Sequence, residues 1–449
     1  MKKISVGLAC IKFDPSFWGF RESQYKARVA RLAALGGKMG FTLTAIPTAF
    51  QTAEEAQSAA KRLNDKSDLV ILDVGAYPEG KAAGVFFDNV TKPLALWSRG
   101  ESAHRTNIAH NSFCGANFLM GNLALRGQRA RAFFGEPSSA DFTARLKTAV
   151  RLLQAAKQAA DARIGLFGEG IVPKFFDIDI SPADREKLRR RWNIRFVGVP
   201  TAELVARAKS YKEDAMEKEA VTFARRFSKI AVPGEALVTQ ARLLKALRDI
   251  SRKEGFDSIA VRCWPELQKD YGAWPCPALG LLNDDGLPAA CEGDPGGALD
   301  MLLAAQLAKK PSTLLDIVDW DDRRNRFSIW HCGPTAPSWA AARKTCLIPH
   351  NVDGATKAGQ PAFGLPGIVD MEFAPGPVTI FRTLGALDDE FAVQGKLAPA
   401  GARRICGSFG EVAEATMYGR KADTLALRAQ IFDRCLPHHY TAARGRLFS

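Results

Sequence analysis

Short apolar runs alternate with stretches of helical periodicity along the first two thirds of the chain. Ile4 to Ile11 is a continuous apolar run of the kind that forms a buried strand, and Glu22 to Leu35 carries apolar residues at helical spacing and stops at Gly36-Gly37. Strand-like Thr42 to Ile46, helical Ala53 to Leu63, and strand-like Leu69 to Val74 and Pro93 to Trp97 follow. Helical Ala140 to Ala162 leads into Arg163-Ile-Gly-Leu-Phe-Gly168-Glu-Gly170, where a strand and a glycine turn restart the pattern. Helical Leu237 to Lys253, strand-like Ser258 to Cys263, a Trp264-Pro265 turn and a helix start at Pro277 continue it. Strands alternating with helices predict an α/β protein with open, doubly wound, largely parallel sheets.

Near Ala336 the pattern changes. Helical signals fade, proline and glycine recur from Pro349 to Pro377, and strand-like Val378 to Leu384 stands between turns, before helical Lys421 to Arg434 leads to Pro437-His438-His439. The chain therefore divides into an α/β domain at 1–162, a second at 163–335, and a mostly β domain at 336–449. A length of 449 residues suits two to three domains, and 47% hydrophobic with 24% charged residues is ordinary for a globular protein.

A net charge of +14 raises nucleic acid, an anionic surface or an anionic substrate as partners. The basic residues are dispersed, and the densest run, Arg185 to Arg191, reads as the solvated face of a helix. No zinc-finger spacing, RNA-binding aromatic signature or basic tail is present, so no nucleic-acid partner is expected. Nine cysteines without paired spacing fit thiols in a reducing compartment. The Met1-Lys-Lys start mimics a secretory leader, but its apolar run is too short and Lys12-Phe-Asp14 follows at once. No stretch can span a bilayer, and a cytoplasmic location is expected.

Chemistry concentrates at Pro288-Ala-Ala-Cys-Glu292-Gly-Asp294-Pro-Gly-Gly, where an apolar run ends on two carboxylates and a helix opens. Asp294 precedes Pro295 and has the position of an N-cap. Glu292 has no capping duty and stands at a strand exit, where ligands bind in open α/β sheets. Downstream, Thr313 to Trp320 and Arg326 to His331 read as a hairpin around Asp322 to Asn325. In that register Asp321 faces Arg326 and Asp316 faces His331. A Glu, an Asp and a His would suit a divalent cation with mixed oxygen and nitrogen ligands, such as Mn²⁺. Gly165, Gly168 and Gly170 lack the dinucleotide fingerprint.

These residues resemble the L-fucose isomerase and L-arabinose isomerase superfamily. The likeness rests on Cys263-Trp264-Pro265-Glu266, the Cys291-Glu292-Gly-Asp294 turn, Leu314-Leu-Asp316 placed 24 positions after Glu292, Trp330-His331-Cys-Gly333 and Pro437-His438-His439. By motif it covers Trp264 to Pro337, about a sixth of the chain. It implies a Mn²⁺-dependent aldose–ketose isomerase working through an enediolate, with Glu292 and Asp316 as metal ligands and acid/base groups. It also implies a late histidine ligand, best placed at His439 with His438 as the alternative, and His331 as a ligand of the arabinose type. A homo-oligomer is implied too, each site being completed by a neighbour's first domain. Trp264 is a candidate sugar platform among Trp264, Trp274, Trp330 and Trp339. If the substrate is anionic, for example sulfonated or carboxylated, Arg99, Arg105, Arg262 and Arg444 are the candidate cations. Arg99 and Arg105 have His104 and His110 nearby in sequence. The rival from another class is a non-catalytic sugar-binding protein of two α/β lobes.

Overall fold

The computed structural model describes residues 3–13, 18–101, 107–168, 175–349, 367–399 and 405–448. Its first sheet holds β1 (Ile4–Ile11), β2 (Phe41–Ala45), β3 (Leu69–Val74), β4 (Leu94–Ser98) and β5 (Arg131–Phe134). All pair in parallel, in the order β2-β1-β3-β4-β5. β3 is buried at every position, as a strand covered by helices on both faces must be. The helix Glu22–Met39 runs through Gly36-Gly37 and ends at Gly40, which takes the left-handed cap. Gly36 serves a close approach instead of a stop, since a Cβ there would meet the Phe41 carbonyl oxygen at 2.7 Å.

The second sheet takes β6 (Arg163–Phe167) and β7 (Arg195–Val199), while β8 (Lys229–Ile230) leaves for the third. β9 (Ser258–Val261) and β10 (Ala289–Ala290) complete it in the parallel order β10-β9-β6-β7. Both α/β units and the mostly β remainder thus follow the periodicity of the sequence.

The third sheet holds β11 (Ser312–Asp321), β12 (Arg326–His331), β13 (Cys346–Ile348), β14 (Ile368–Glu372), β15 (Gly376–Leu384), β16 (Asp389–Ala398), β17 (Ser408–Met417), β18 (Arg420–Lys421) and β19 (His439–Arg444). Its path runs β12-β11-β19-β15-β16-β17, and β12 pairs with β17 as well, so these strands close into a ring. Closure leaves them without a free edge. The sheet opens at Ser312, ahead of residue 336, and the acid-bearing hairpin belongs to it.

Between the second and third sheets lies the helix Pro295–Ala308, packed against β9 and β10 on one side and β11, β15 and β19 on the other. It is apolar on nearly every face, as a helix enclosed by neighbours must be. Gly296 and Gly297 open it because nothing larger fits. A Cβ on Gly296 would meet the Arg382 guanidinium at 2.5 Å, and one on Gly297 would meet Leu314 at 2.7 Å. A second buried tie joins the first sheet to the third, where Arg131 meets the Glu390 carboxylate at 2.5 Å and donates to the Leu387 and Asp388 carbonyls. Among the described residues no helix is long and apolar enough to cross a membrane.

Asp300, on the inner face of the enclosed helix, accepts from the Thr383 amide at 3.0 Å and the Thr383 hydroxyl at 2.5 Å. Burial pushes its carboxyl up to about 7, and Arg382, already committed to Asp294, does not offset this. Between the unperturbed value of 3.8 and about 7 the native chain therefore holds a proton that the unfolded chain has lost. Stability from this group must fall as pH rises through that window, by at most about 1.4 kcal/mol per pH unit. Urea denaturation of wild type and Asp300→Asn at several pH values checks this: the variant should gain on wild type as pH rises, and a constant difference would refute it.

Candidate active site

The short strand β10 ends in a turn that reverses the chain at Glu292 and Gly293, both in the left-handed region with φ of 59° and 70°. A residue with a side chain pays roughly 1–2 kcal/mol to sit there, and such positions persist where the surroundings over-determine them. Here the Gly293 amide donates to the Val261 carbonyl at 2.9 Å and the Asp294 amide to the Cys291 carbonyl at 3.2 Å. The Glu292 carboxylate thereby lies 3.7 Å from His438 Nε2 and 3.6 Å from His439 Nε2.

Asp294 is the N-cap, accepting from the Gly297 amide at 2.7 Å. It does more. Fully buried, it takes both arms of Arg382 at 2.8 and 3.0 Å and meets His439 Nδ1 at 3.1 Å. Burial alone would raise its pKa, but Arg382 and His439 outweigh burial and hold the carboxyl far below its ordinary range.

The hairpin begins in the expected register, with Asp321 opposite Arg326 and Asp319 opposite Ser328. A bulge at Val318 then shifts the pairing, so Asp316 faces Trp330 and not His331. The extra residue on β11 is what a bulge inserts. On its other side Asp316 pairs with His439 of β19, which sets the two side chains on one face with Asp316 Oδ1 3.8 Å from His439 Nε2. His331, at the end of β12, still brings its ring to 5.5 Å from that of His439.

Hydrogen bonds separate the roles of the histidines. His439 Nδ1 faces a carboxylate, so it carries the proton and Nε2 presents a lone pair to Glu292 and Asp316. At His331 the Cys332 amide donates to Nδ1 at 2.9 Å. The neutral ring therefore keeps its proton on Nε2 and offers a donor there, in place of the metal-ligating lone pair expected of His331. Burial lowers the His331 pKa and favours that neutral form. Burial works the same way on His438, but Glu292 and Asp177 outweigh it and push this imidazole up to about 9.

Asp316 Oδ1, His331 Nε2 and His439 Nε2 are buried without a hydrogen-bond partner. Such groups are rare unless something else satisfies them. Polar atoms of Glu292, His331 and His439, and those of Asp316, His438 and His439, lie within 4.8 Å of one another. Two carboxylates and an imidazole lone pair converging in this way fit a divalent cation such as Mn²⁺.

Trp264 lies 6.1 Å from Phe175, which stands edge-on to His438 at 5.4 Å, giving an aromatic wall beside Glu292. Arg262 packs against the backbone of the same turn, since a Cβ on Gly293 would sit 3.2 Å from the Arg262 Cβ, and it pairs with Glu266 at 2.7 Å. Arg99 belongs to the first sheet, where Asp73 holds it at 2.7 Å beside a cavity of about 330 Å³ that Arg28 and His110 also line. Arg444 is not brought to the acids. It is five residues beyond His439 on one strand, so its side chain leaves by the opposite face, donates to the Trp339 and Ala374 carbonyls and stacks over Trp339 at 4.5 Å. His104 and Arg105 lie outside the described residues. Sequence reasoning missed Asp177 and Arg382. A lone arginine in the buried run Val378 to Leu384 was the available signal for the second.

No family model matches the chain. It is similar to a sulfoquinovose isomerase of Alkalicoccus urumqiensis, 26% identical over 316 residues that cover 70% of this chain and 68% of the relative. A sulfoquinovose isomerase of Priestia aryabhattai is 26% identical over 71% of this chain and 69% of its own length. One of Clostridium sp. (strain MSTE9) is 28% identical over 56% of each. Among solved structures, a galactofuranose binding protein aligns with 68% of this chain and 88% of its own at 12% identity, but with a TM-score of 0.18, too low to imply a shared fold.

The His438 environment yields a direct test. With a raised folded pKa, His438 stabilises the fold fully below about 6.5 and loses that contribution as pH rises through about 9. Asp177→Asn removes the partner that meets its Nδ1 at 2.6 Å. Imidazole NMR titration of chelator-treated protein should show the His438 pKa falling toward the ordinary histidine value, and an unchanged pKa would free Asp177 from this role.

Proposed function

We propose that this protein is a metal-dependent aldose–ketose isomerase, an intramolecular oxidoreductase, acting on a sulfonated monosaccharide. The observation that carries the reading is the convergence of Glu292, Asp316 and His439, with unmet ligand capacity on buried atoms, at a strand exit. The likeness to sulfoquinovose isomerases supports it over most of the chain. A sugar-binding protein without turnover would have no use for two carboxylates and an oriented imidazole at one point.

Interconverting an aldose and a ketose moves one proton between C1 and C2 and another between their oxygens, and two carboxylates beside that bond can do both. Glu292 is kept ionised, because His438 and the other histidines outweigh the effect of its burial. It can therefore accept a proton at neutral pH, with Asp316 sharing the acid/base work. His331 Nε2–H is a donor for a sugar oxygen. Glu292, Asp316 and His439 would hold Mn²⁺, and the ion when bound would supply Lewis-acid stabilisation of the negative charge that develops during the transfer. Trp264 and Phe175 offer ring faces to the sugar C–H groups.

The likeness favours the anionic alternative over a neutral sugar. Arg262, which also pairs with Glu266, and the His438 imidazolium are cations beside the acid turn, while Arg382 is taken up by Asp294. The Arg99 crevice of the first sheet is the surface that a neighbouring subunit would present in a homo-oligomer with shared sites.

Glu292→Gln and Asp316→Asn should each lower kcat/KM by about 10²–10⁴-fold and weaken Mn²⁺ binding in calorimetry, with circular dichroism unchanged. His439→Ala should be partly rescued by high Mn²⁺, and His438→Ala should affect metal affinity less. Near-normal turnover in either carboxylate variant removes the assignment. The substrate class has its own test, in which NMR follows ketose formation from sulfonated and neutral aldoses. Efficiency on the sulfonated sugar should fall as salt rises, because attraction is screened over roughly 8–10 Å at physiological ionic strength, and Arg262→Ala should raise KM for that sugar alone. Equal, salt-independent efficiency on both sugars would point to a neutral substrate.

A further inference from the structure

Three thiols meet behind the acid turn, and a fourth lies beside one of them. Cys263 follows β9, Cys276 opens the helix Cys276–Asp284, Cys291 follows β10 and Cys332 follows β12. The sulfurs of Cys276 and Cys332 are 3.6 Å apart, those of Cys263 and Cys291 are 3.6 Å apart, and Cys276, Cys291 and Cys332 place their sulfurs within 4.8 Å of one another. Cys263, Cys276 and Cys291 are buried, and Cys332 is half-buried.

A core cysteine that only fills space has no need of other sulfurs around it. Here three separate segments deliver one each to a single point, and a fourth places Cys263 beside Cys291. A tetrahedral ion with metal–sulfur bonds of about 2.3 Å has sulfur–sulfur edges of about 3.8 Å, close to the 3.6 Å of the Cys276–Cys332 and Cys263–Cys291 pairs. A disulfide requires about 2.05 Å, so these are separate thiols arranged at ligand distance. We propose that Cys276, Cys291 and Cys332, with Cys263 as fourth ligand, hold a thiophilic ion of the Zn²⁺ class. This all-sulfur site is distinct from the oxygen and nitrogen centre of Glu292, Asp316 and His439, and the softness of its ligands sorts the two ions.

Binding involves no redox change: each cysteine that ligates releases its thiol proton to solvent. The consequence is mechanical. Cys291 precedes Glu292, Cys263 precedes Trp264, and Cys332 supplies the amide that orients His331. One ion would tie together the segments that carry the acid, the aromatic wall and the donor histidine.

The test uses the full chain with the exposed Cys114, Cys406 and Cys435 changed to serine, under a phosphine reductant, with Co²⁺ as probe. The expected result is a near-ultraviolet thiolate-to-cobalt charge-transfer band that saturates at about one ion per chain, as a single four-ligand site requires, and is displaced by Zn²⁺. The band should persist when Glu292→Gln is added, because the carboxylate centre holds no sulfur. It should vanish in Cys276→Ala. A folded protein without the band, or a band that survives Cys276→Ala, overturns the proposal. Should Cys276→Ala not fold, cadmium NMR on the parent decides: a bound resonance in the sulfur-rich range supports the site, and one confined to the oxygen and nitrogen range refutes it.

Discussion

The buried pairing of Arg382 with Asp294 is the interaction on which the candidate site rests. Arg382 comes from β15 of the third sheet, and Asp294 from the exit of the second. Both are almost wholly removed from water, so neither tolerates loss of the other, and breaking such a pair costs about 3–5 kcal/mol. With its two oxygens Asp294 caps the enclosed helix, neutralises Arg382 and fixes the proton on His439 Nδ1. The last of these turns a structural joint into chemistry, because it leaves His439 Nε2 as a lone pair aimed at Glu292 and Asp316.

The rest of the site is built outward from that joint. The left-handed Glu292 sits two residues before Asp294, so anchoring the cap also anchors the strained turn. Asp316 is placed by its register with His439, and His439 by its bond to Asp294. Around this fixed centre Asp177 holds His438, which is the more exposed of the paired histidines.

What the sequence made legible was local. Asp294 before Pro295 announced a cap, the apolar run into Glu292 announced a strand exit, and alternating periodicities announced two parallel sheets. Nothing at Val318 marks a bulge, as neither glycine nor proline accompanies it, and the bulge moved Trp330 into the place expected for His331. Gly36-Gly37 looked like a helix stop because the packing of Phe41, which explains Gly36, belongs to tertiary structure. The parity of a strand could have excluded Arg444 once the strand starting at His439 was known. That strand was not foreseen, because its neighbours lie far back in the sequence. Likewise, the four thiols have no spacing pattern, and only the fold collects them.

The position of β19 bears on the order in which the molecule can be made. It is the last strand of the ring in sequence, yet it lies between β11 and β15, and neither of these can pair with the other while it is in place. A growing chain therefore carries two unsatisfied strand edges until residues 439–444 arrive, and pairing across such a sequence distance is slow. The same late strand brings His439. Assembly of the ring and completion of the site are one event, so a chain caught before that event has its carboxylates but not the imidazole that makes them a centre.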